Sequence, residues 1–215
     1  QIIKRPNSKI KKISLSQQNY LQNQKILSEI KSNFKAQNFN GISIDTRMLK
    51  KDNLFLTIKG KNNNGAKFVT KALKKGAKYI VSSQNIKKQK NKTIKVKNEI
   101  KFLNKYASKK REKIRAKIIA VTGSAGKTSL KNLISDLLND FEKTFSSPKS
   151  YNNHFGVPLS LSQLKIEHKF GVFEVGMSKK GEIDKLTKLI RPHFGIITNI
   201  GEAHIENFKS LRGIA

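Results

Sequence analysis

The chain has 215 residues, with 45 lysines and arginines against 14 acidic residues, a formal net charge of +31 and no cysteine. No stretch approaches about 18 consecutive apolar residues, so a helical membrane span is excluded, and without cysteine so are disulfides and cysteine-ligated zinc. The charge invites a nucleic-acid reading, because such a field steers polyanions to the surface. The basic residues, however, are overwhelmingly lysine. Arg5, Arg47, Arg111, Arg115, Arg191 and Arg212 are the only arginines, although arginine is the better bidentate reader of phosphates and bases. Lys, Asn and Ile share A/T-rich codons, so a biased genome accounts for all three. Solvated lysine faces are therefore expected, with no specific nucleic-acid surface and only weak polyanion binding at low salt.

A mass of 24.3 kDa allows one large or two small domains with real cores. The chain starts at Gln1 and stops at Ala215 inside a run that reads as a continuing element, so an excerpt of a longer protein is expected. Its first residues are basic and polar with no apolar segment, which does not describe a secretory signal, and the lack of cysteine fits a cytoplasmic protein.

In chain order, residues 1–19 carry no sustained period and read as a basic lead-in. Leu21, Ile26, Leu27, Ile30 and Phe34 predict an amphipathic helix over 20–34. Ile42 and Ile44 alternate with Ser43 and Asp45 as in a half-buried strand. Lys51-Asp52-Asn53 marks a turn, and a second strand runs from Leu54 to Ile58. After a loop from Gly60 to Gly65, residues Phe68, Val69, Ala72 and Leu73 predict a helix ended by Gly76. Strands follow at 79–81 and 93–96, completing a small α/β domain over 20–97. Residues 98–113 predict a helix capped by Asn98, with Ile100, Leu103, Tyr106 and Ala107 inward.

Residues 98–215 then alternate strand and helix, so they predict a parallel sheet with helices on both faces. Its strands fall at 118–121, 144–145, 170–175 and 194–200. Its helices fall at 128–140, where Leu130, Leu133, Ile134, Leu137 and Leu138 have helical spacing, at 157–164 with Pro158 in the first turn, and at 181–190.

The stretch that carries chemistry is Lys117 to Ser129. An apolar strand runs into Thr122-Gly123-Ser124-Ala125-Gly126-Lys127-Thr128-Ser129 and then into a helix. Glycines let backbone N–H groups approach phosphate oxygens, and the helix N-terminus adds the positive end of its dipole. Lys127 would neutralise the β- and γ-phosphates and the Thr128 hydroxyl would ligate Mg²⁺. The general phosphate-loop pattern has a glycine where Val121 stands, so the form here is the shorter Gly-x-x-Gly-Lys-Thr-Ser. Two further strand ends carry suitable groups: Phe173-Glu174-Val175-Gly176-Met177 and Thr198-Asn199-Ile200-Gly201-Glu202-Ala203-His204. Thr128 with Glu174 suits an ion that prefers oxygen ligands, and His204 would meet a second metal or the phosphates. The plainer readings are a Glu174 paired with a lysine and a His204 in an ordinary loop. His168 and His193 read as surface or packing residues.

These segments resemble the Mur ligases, over most of the chain from about Gly41 onward. The resemblance rests on Ile44-Asp45-Thr46-Arg47 with Asp52-Asn53-Leu54-Phe55 and Lys59-Gly60, on Thr122 to Ser129, on Tyr151 to Pro158, on Glu174 to Met177 with Gly181-Glu182-Ile183, and on Thr198 to His204. It implies a small N-terminal α/β domain for a UDP-sugar substrate, followed by a parallel-sheet phosphate-loop domain that is incomplete at its C-terminal end. It implies a monomeric ATP- and Mg²⁺-dependent ligase of peptidoglycan precursor synthesis, joining D-alanyl-D-alanine to UDP-N-acetylmuramoyl-tripeptide through an acyl phosphate. Carried onto this sequence, Thr122 to Ser129 would hold ATP, with Lys127 on the terminal phosphates and Asn199 near the adenine. Thr128, Glu174 and His204 would serve the metal, and Lys127, Glu174 and His204 the chemistry. Asn152 and Asn153 would shape the junction of substrate with ATP, and Thr46 and Arg47 the UDP-sugar side.

The family pattern has Asp-Gly-His near Asn64-Gly65-Ala66 and an acidic residue at His154. Its modified lysine would fall beyond Ala215. Residues 1–215 are therefore expected to bind nucleotide weakly and not to complete the reaction alone. The rivals are a sibling Mur ligase or a folylpolyglutamate-type ligase and, from another class, a basic nucleic-acid-binding protein built on a nucleotide fold.

Overall fold

The structure is a computed structural model that describes residues 13–31, 39–60, 64–148, 151–203, 205–208 and 210–214. The expectations for residues 1–12, for Phe34 and for His204 lie outside these residues. Helix α1 spans Leu15–Ile30, earlier than its apolar spacing predicts, so the unstructured lead-in expected up to residue 19 is corrected. A capping box moves the start: Ser14 Oγ accepts from Gln17 N–H while Gln17 Oε1 accepts from Ser14 N–H.

The first sheet contains β1 (Gly41–Ser43), β2 (Asn53–Leu56), β3 (Tyr79–Ser82) and β4 (Thr93–Lys95), all parallel and in sequential order. β2 and β3 are buried along their whole length, so the sheet must be covered on both faces. The period of two sorts their side chains. Leu54, Leu56, Tyr79 and Val81 join Ile26 and Leu27 of α1 and Phe102, Leu103 and Tyr106 of α3 (Glu99–Lys113). Phe55 and Ile80 face the other way, onto Val69 and Ala72 of α2 (Val69–Lys74), which follows a 3₁₀ turn at Gly65–Phe68. β1 does not alternate as expected, because both Ile42 and Ser43 are buried.

The second sheet contains β5 (Lys117–Thr122), β6 (Thr144–Ser146), β7 (Phe170–Glu174) and β8 (Phe194–Ile197), again parallel but in the order β6-β7-β5-β8. On one face, α5 (Gly156–Ser162) and α6 (Glu182–Ile190) pack with Ala107 near the end of α3 and with Ile114 against Ile118, Ala120 and Phe173. Helix α4 (Lys127–Asn139) lies against β6, β7 and β5. Its sheet-facing residues are Lys131 and Ser135, both buried, while Leu133 and Leu137 of the predicted apolar spacing are more than half exposed. Short helices α7 (Ile205–Phe208) and α8 (Leu211–Ile214) close the described chain. Helix α3 contributes to both cores, so the boundary expected at residue 98 falls on an element the two sheets share. Among the described residues no helix is long and apolar enough to cross a membrane.

Candidate nucleotide site

The register levels three strand ends. Val121 of β5 lies beside Glu174 of β7, and Thr122 lies beside Ile197 of β8. The glycine loop leaves β5 there, at the point where the order of connections reverses, which is where open parallel sheets gather ligands. Gly123 has φ 132°, and a Cβ on it would lie 2.1 Å from Thr198 Oγ1 and 2.9 Å from Asn199 O. Only glycine fits this closely against the β8 turn. Gly126, at φ 77°, turns the chain into α4.

The loop is stitched to the turn after β8. Ser124 N–H donates to Asn199 O (3.0 Å), Ala125 N–H to Asn199 Oδ1 (2.9 Å) and Gly201 N–H to Ser124 Oγ (2.8 Å). Asn199, expected near an adenine, thus also fixes the loop itself. Strand β8 is shorter than predicted: Thr198 N–H still donates to Thr122 O (2.9 Å), but from Asn199 onward the chain bonds the glycine loop. Lys127 Nζ folds back onto the loop, donating to Gly123 O (2.6 Å) and Ser124 O (3.1 Å).

Glu174 is only 4% exposed. Its Oε2 accepts from Thr128 Oγ1 at 2.6 Å and its Oε1 from Asn152 Nδ2 at 2.8 Å. Among the described residues it forms no salt bridge, so the lysine-paired reading fails there. A buried carboxylate beside a hydroxyl, at the foot of a phosphate loop, offers hard oxygen donors of the kind Mg²⁺ takes when it keeps most of its waters. The donor set fits that ion.

A cavity of about 580 Å³ opens beside the loop, within the range of small-molecule sites. Thr122, Gly123, Ser124, Lys127, Asn152, Asn153 and Asn199 line it, together with Ile197 and Ile200. Ala125, Gly126, Thr128, Ser129 and Glu174 are not in its lining; Glu174 meets it through Asn152. Asn153 lines it but is committed locally, its Oδ1 capping α5 by accepting from the N–H groups of Phe155 and Gly156. Thr46 and Arg47 lie elsewhere, after β1. Thr46 is buried, and Arg47 is exposed and pairs with Asp45 at 2.6 Å. That guanidinium holds the Asp45 carboxyl below its ordinary range.

Met177, Ser178, Lys180 and Glu182 also line the cavity, as does Arg212 of α8. Their periodicity gives no sign of this. The one legible signal is Gly181-Glu182, where the glycine sits at φ 80° and the Glu182 carboxylate accepts from the N–H groups of Ser178 and Lys179. Those bonds, Ser178 first, hold its carboxyl below the ordinary range. His168 packs against Phe145 with the rings tilted by 57°, burial bringing its pKa down to about 4, while His193 is exposed and its Nδ1 accepts from Ile118 N–H.

Strand, glycine loop and helix at the switch point of a parallel sheet define a phosphate-loop α/β protein. Two family models match consecutive parts of the chain, one described as Mur ligase family, catalytic domain, over residues 38–123 and one as Mur ligase middle domain over 121–215. A UDP-N-acetylmuramoyl-tripeptide--D-alanyl-D-alanine ligase of Rickettsia prowazekii is 37% identical over 83% of this chain and 40% of its own length. The crystal structure of MurF from Acinetobacter baumannii superposes with a TM-score of 0.78 at 29% identity, over 91% of this chain and 44% of that one. A MurF ligase from Thermotoga maritima in complex with ADP gives 0.71 at 27% identity, over 81% of this chain and 41% of that one. The chain belongs to the Mur ligase family, and it spans about 40% of the length of the curated relatives it matches.

Proposed function

We propose that this chain is the substrate- and nucleotide-binding part of an ATP-dependent ligase that joins D-alanyl-D-alanine to UDP-N-acetylmuramoyl-tripeptide. The observation that carries the reading is the buried Glu174 carboxylate, bonded to Thr128 and Asn152 beside the glycine loop. The names of the relatives, and the ADP held by the Thermotoga protein, supply the substrates.

In this reading Thr122 to Ser129 wrap the phosphates with backbone N–H groups, and Lys127 leaves its loop carbonyls to meet the β- and γ-phosphates. Mg²⁺, when bound, neutralises charge on the transferring phosphoryl group, with Thr128 and Glu174 as its protein ligands and His204 as a further candidate. The terminal carboxylate of the tripeptide attacks the γ-phosphorus, giving an acyl phosphate and ADP. The amine of D-alanyl-D-alanine then attacks the acyl carbon, expelling phosphate and losing a proton as the amide forms. Both steps pass through anionic transition states, which need aimed donors and cations more than acid–base groups. Asn152, whose amide donates to Glu174, would shape the junction of substrate with ATP together with Asn153, Asn199 would lie near the adenine, and Thr46 and Arg47 would belong to the UDP-sugar side.

The test follows phosphate release by the full-length protein from Mg·ATP with UDP-N-acetylmuramoyl-tripeptide, with and without D-alanyl-D-alanine. Release that needs both substrates and is lost in Lys127→Ala is expected. Release independent of either substrate would move the assignment to a sibling ligase or a nucleotide scaffold.

A further inference from the structure

Lys131 is 2% exposed, on the face of α4 that Thr128 begins one helical turn earlier. Burying a lysine head group costs far more than burying a leucine. Yet this helix turns Leu133 and Leu137 to solvent and keeps the lysine inside. Lys131 Nζ donates to Ser147 O in a buried 2.6 Å hydrogen bond.

Ser147 is where several restraints on Glu174 meet. Its N–H donates to Val172 O (2.9 Å), and its hydroxyl accepts from Glu174 N–H (3.0 Å) in a second buried bond. From Ser147 the chain runs on to Asn152, whose side chain donates to Glu174 Oε1 and whose carbonyl accepts from Gly176 N–H at 2.8 Å. Lys131 therefore grips the point from which the chain both supports the Glu174 backbone and departs toward the carboxylate's second partner. Thr128, the first partner, is carried by the same helix face.

We propose that Lys131 is a positioning residue for the Glu174 carboxylate. By holding the Ser147 carbonyl it ties the phosphate-loop helix to the residue that supports the Glu174 backbone and precedes Asn152, so that Thr128 and Asn152 meet the two oxygens of one carboxylate. The inference rests on the nucleotide-site reading above. Shell residues of this kind, which orient a ligand without touching the metal, typically change metal affinity by about 10–100-fold.

The experiment compares wild type, Lys131→Met and Lys131→Arg in the full-length protein. It measures the Mg²⁺ concentration for half-maximal tightening of a fluorescent ADP analogue, the Tm, and amide hydrogen exchange at Glu174 and Gly176 without metal. Lys131→Met keeps the apolar stem and removes the donor. It is expected to keep its Tm within a few degrees, to raise the Mg²⁺ midpoint about 10–100-fold and to speed exchange at both amides, while exchange in β2 and β3 stays as in wild type. Lys131→Arg, which keeps a donor but displaces it, is expected to fall between the two, and it carries the same test if the methionine variant does not fold. A variant folded like wild type with an unchanged Mg²⁺ midpoint overturns the proposal, and so does unchanged exchange at Glu174 and Gly176. If the wild type itself shows no Mg²⁺-dependent ADP binding, the nucleotide-site reading falls and takes this proposal with it. A wild-type response that survives intact in the variants overturns the positioning role alone.

Discussion

Each of the two sheets ends on a buried carboxylate, and the two are held alike. In the first sheet Glu99 accepts from Thr57 Oγ1 (3.1 Å) and Ser83 N–H (2.6 Å), and in the second Glu174 accepts from Thr128 Oγ1 and Asn152 Nδ2. Glu99 is 8% exposed and Glu174 4%. Their settings differ because the strand orders differ. The first sheet keeps its strands in sequential order, and there Glu99, in the first turn of α3, accepts from Thr57 and Ser83 just past β2 and β3. In the second sheet β5 lies between β7 and β8, the connections diverge from it, and the glycine loop and the β8 turn flank an open cavity. A hydroxyl and an amide on a carboxylate do not mark a site by themselves. The topology around them does.

The largest effect expected from breaking this contrast is at Gly123. Gly123→Ala drives a Cβ into Thr198 and the Asn199 backbone at a φ that side chains rarely adopt, which should cost about 2–5 kcal/mol and abolish ADP binding. Denaturant melts and a binding titration check both. The paired carboxylates give the next test. Glu99→Met should lower stability by about 1–3 kcal/mol and leave ADP affinity at the wild-type value, because it strands the buried Thr57 hydroxyl and the Ser83 N–H, neither of which lines the cavity. Glu174→Gln should instead remove the Mg²⁺ dependence of ADP binding.

Lys110 of α3, the helix both sheets share, gives a pH-dependent effect. Its Nζ donates to Gln22 Oε1 (2.7 Å) and Asn23 Oδ1 (2.9 Å) of α1, and burial brings its pKa down to about 7 from the usual 10.5. Between those values the unfolded chain binds the proton more tightly, so stability from this group rises with pH. The penalty is full below pH 7 and fades toward pH 10.5. Melting temperatures of wild type minus Lys110→Met should therefore rise across that window, and a flat difference would remove Lys110 as the cause. The smallest effect belongs to Arg47→Ala. Its guanidinium is 83% exposed, so the loss of its pair with Asp45 should change stability by less than about 0.5 kcal/mol.

Much of this was legible in sequence. The buried strands, the glycine loop and the start of α3 at Asn98 follow from apolar runs, glycine placement and a capping side chain, which act within a few residues. Segments 44–47, 122–129 and 174–177 point to the family by their order along the chain. The less legible parts were of two kinds. Boundaries shifted where a side chain outweighed periodicity, as at Ser14 with Gln17. Other residues carry structural bonds that their motifs do not announce: Asn153 Oδ1 accepts from N–H groups at the start of α5, and Asn199 braces the glycine loop.

The sequence by itself determined a strand, a glycine turn and a helix that can hold phosphates, and the order of segments that makes the chain a Mur ligase family member. The pairing of Thr128 with Glu174 was legible from their strand ends; only the tertiary structure decided that the two bond directly, across 46 positions, and that Asn152 holds the carboxylate's other oxygen. It also decided the phase of α4. Once Gly126 has set the turn and Thr128 must face Glu174, the same face carries Lys131 and Ser135 inward and leaves Leu133 and Leu137 outside. A helix's own hydrophobic period cannot report that choice, since it is made by what the neighbouring strand requires of the first turn.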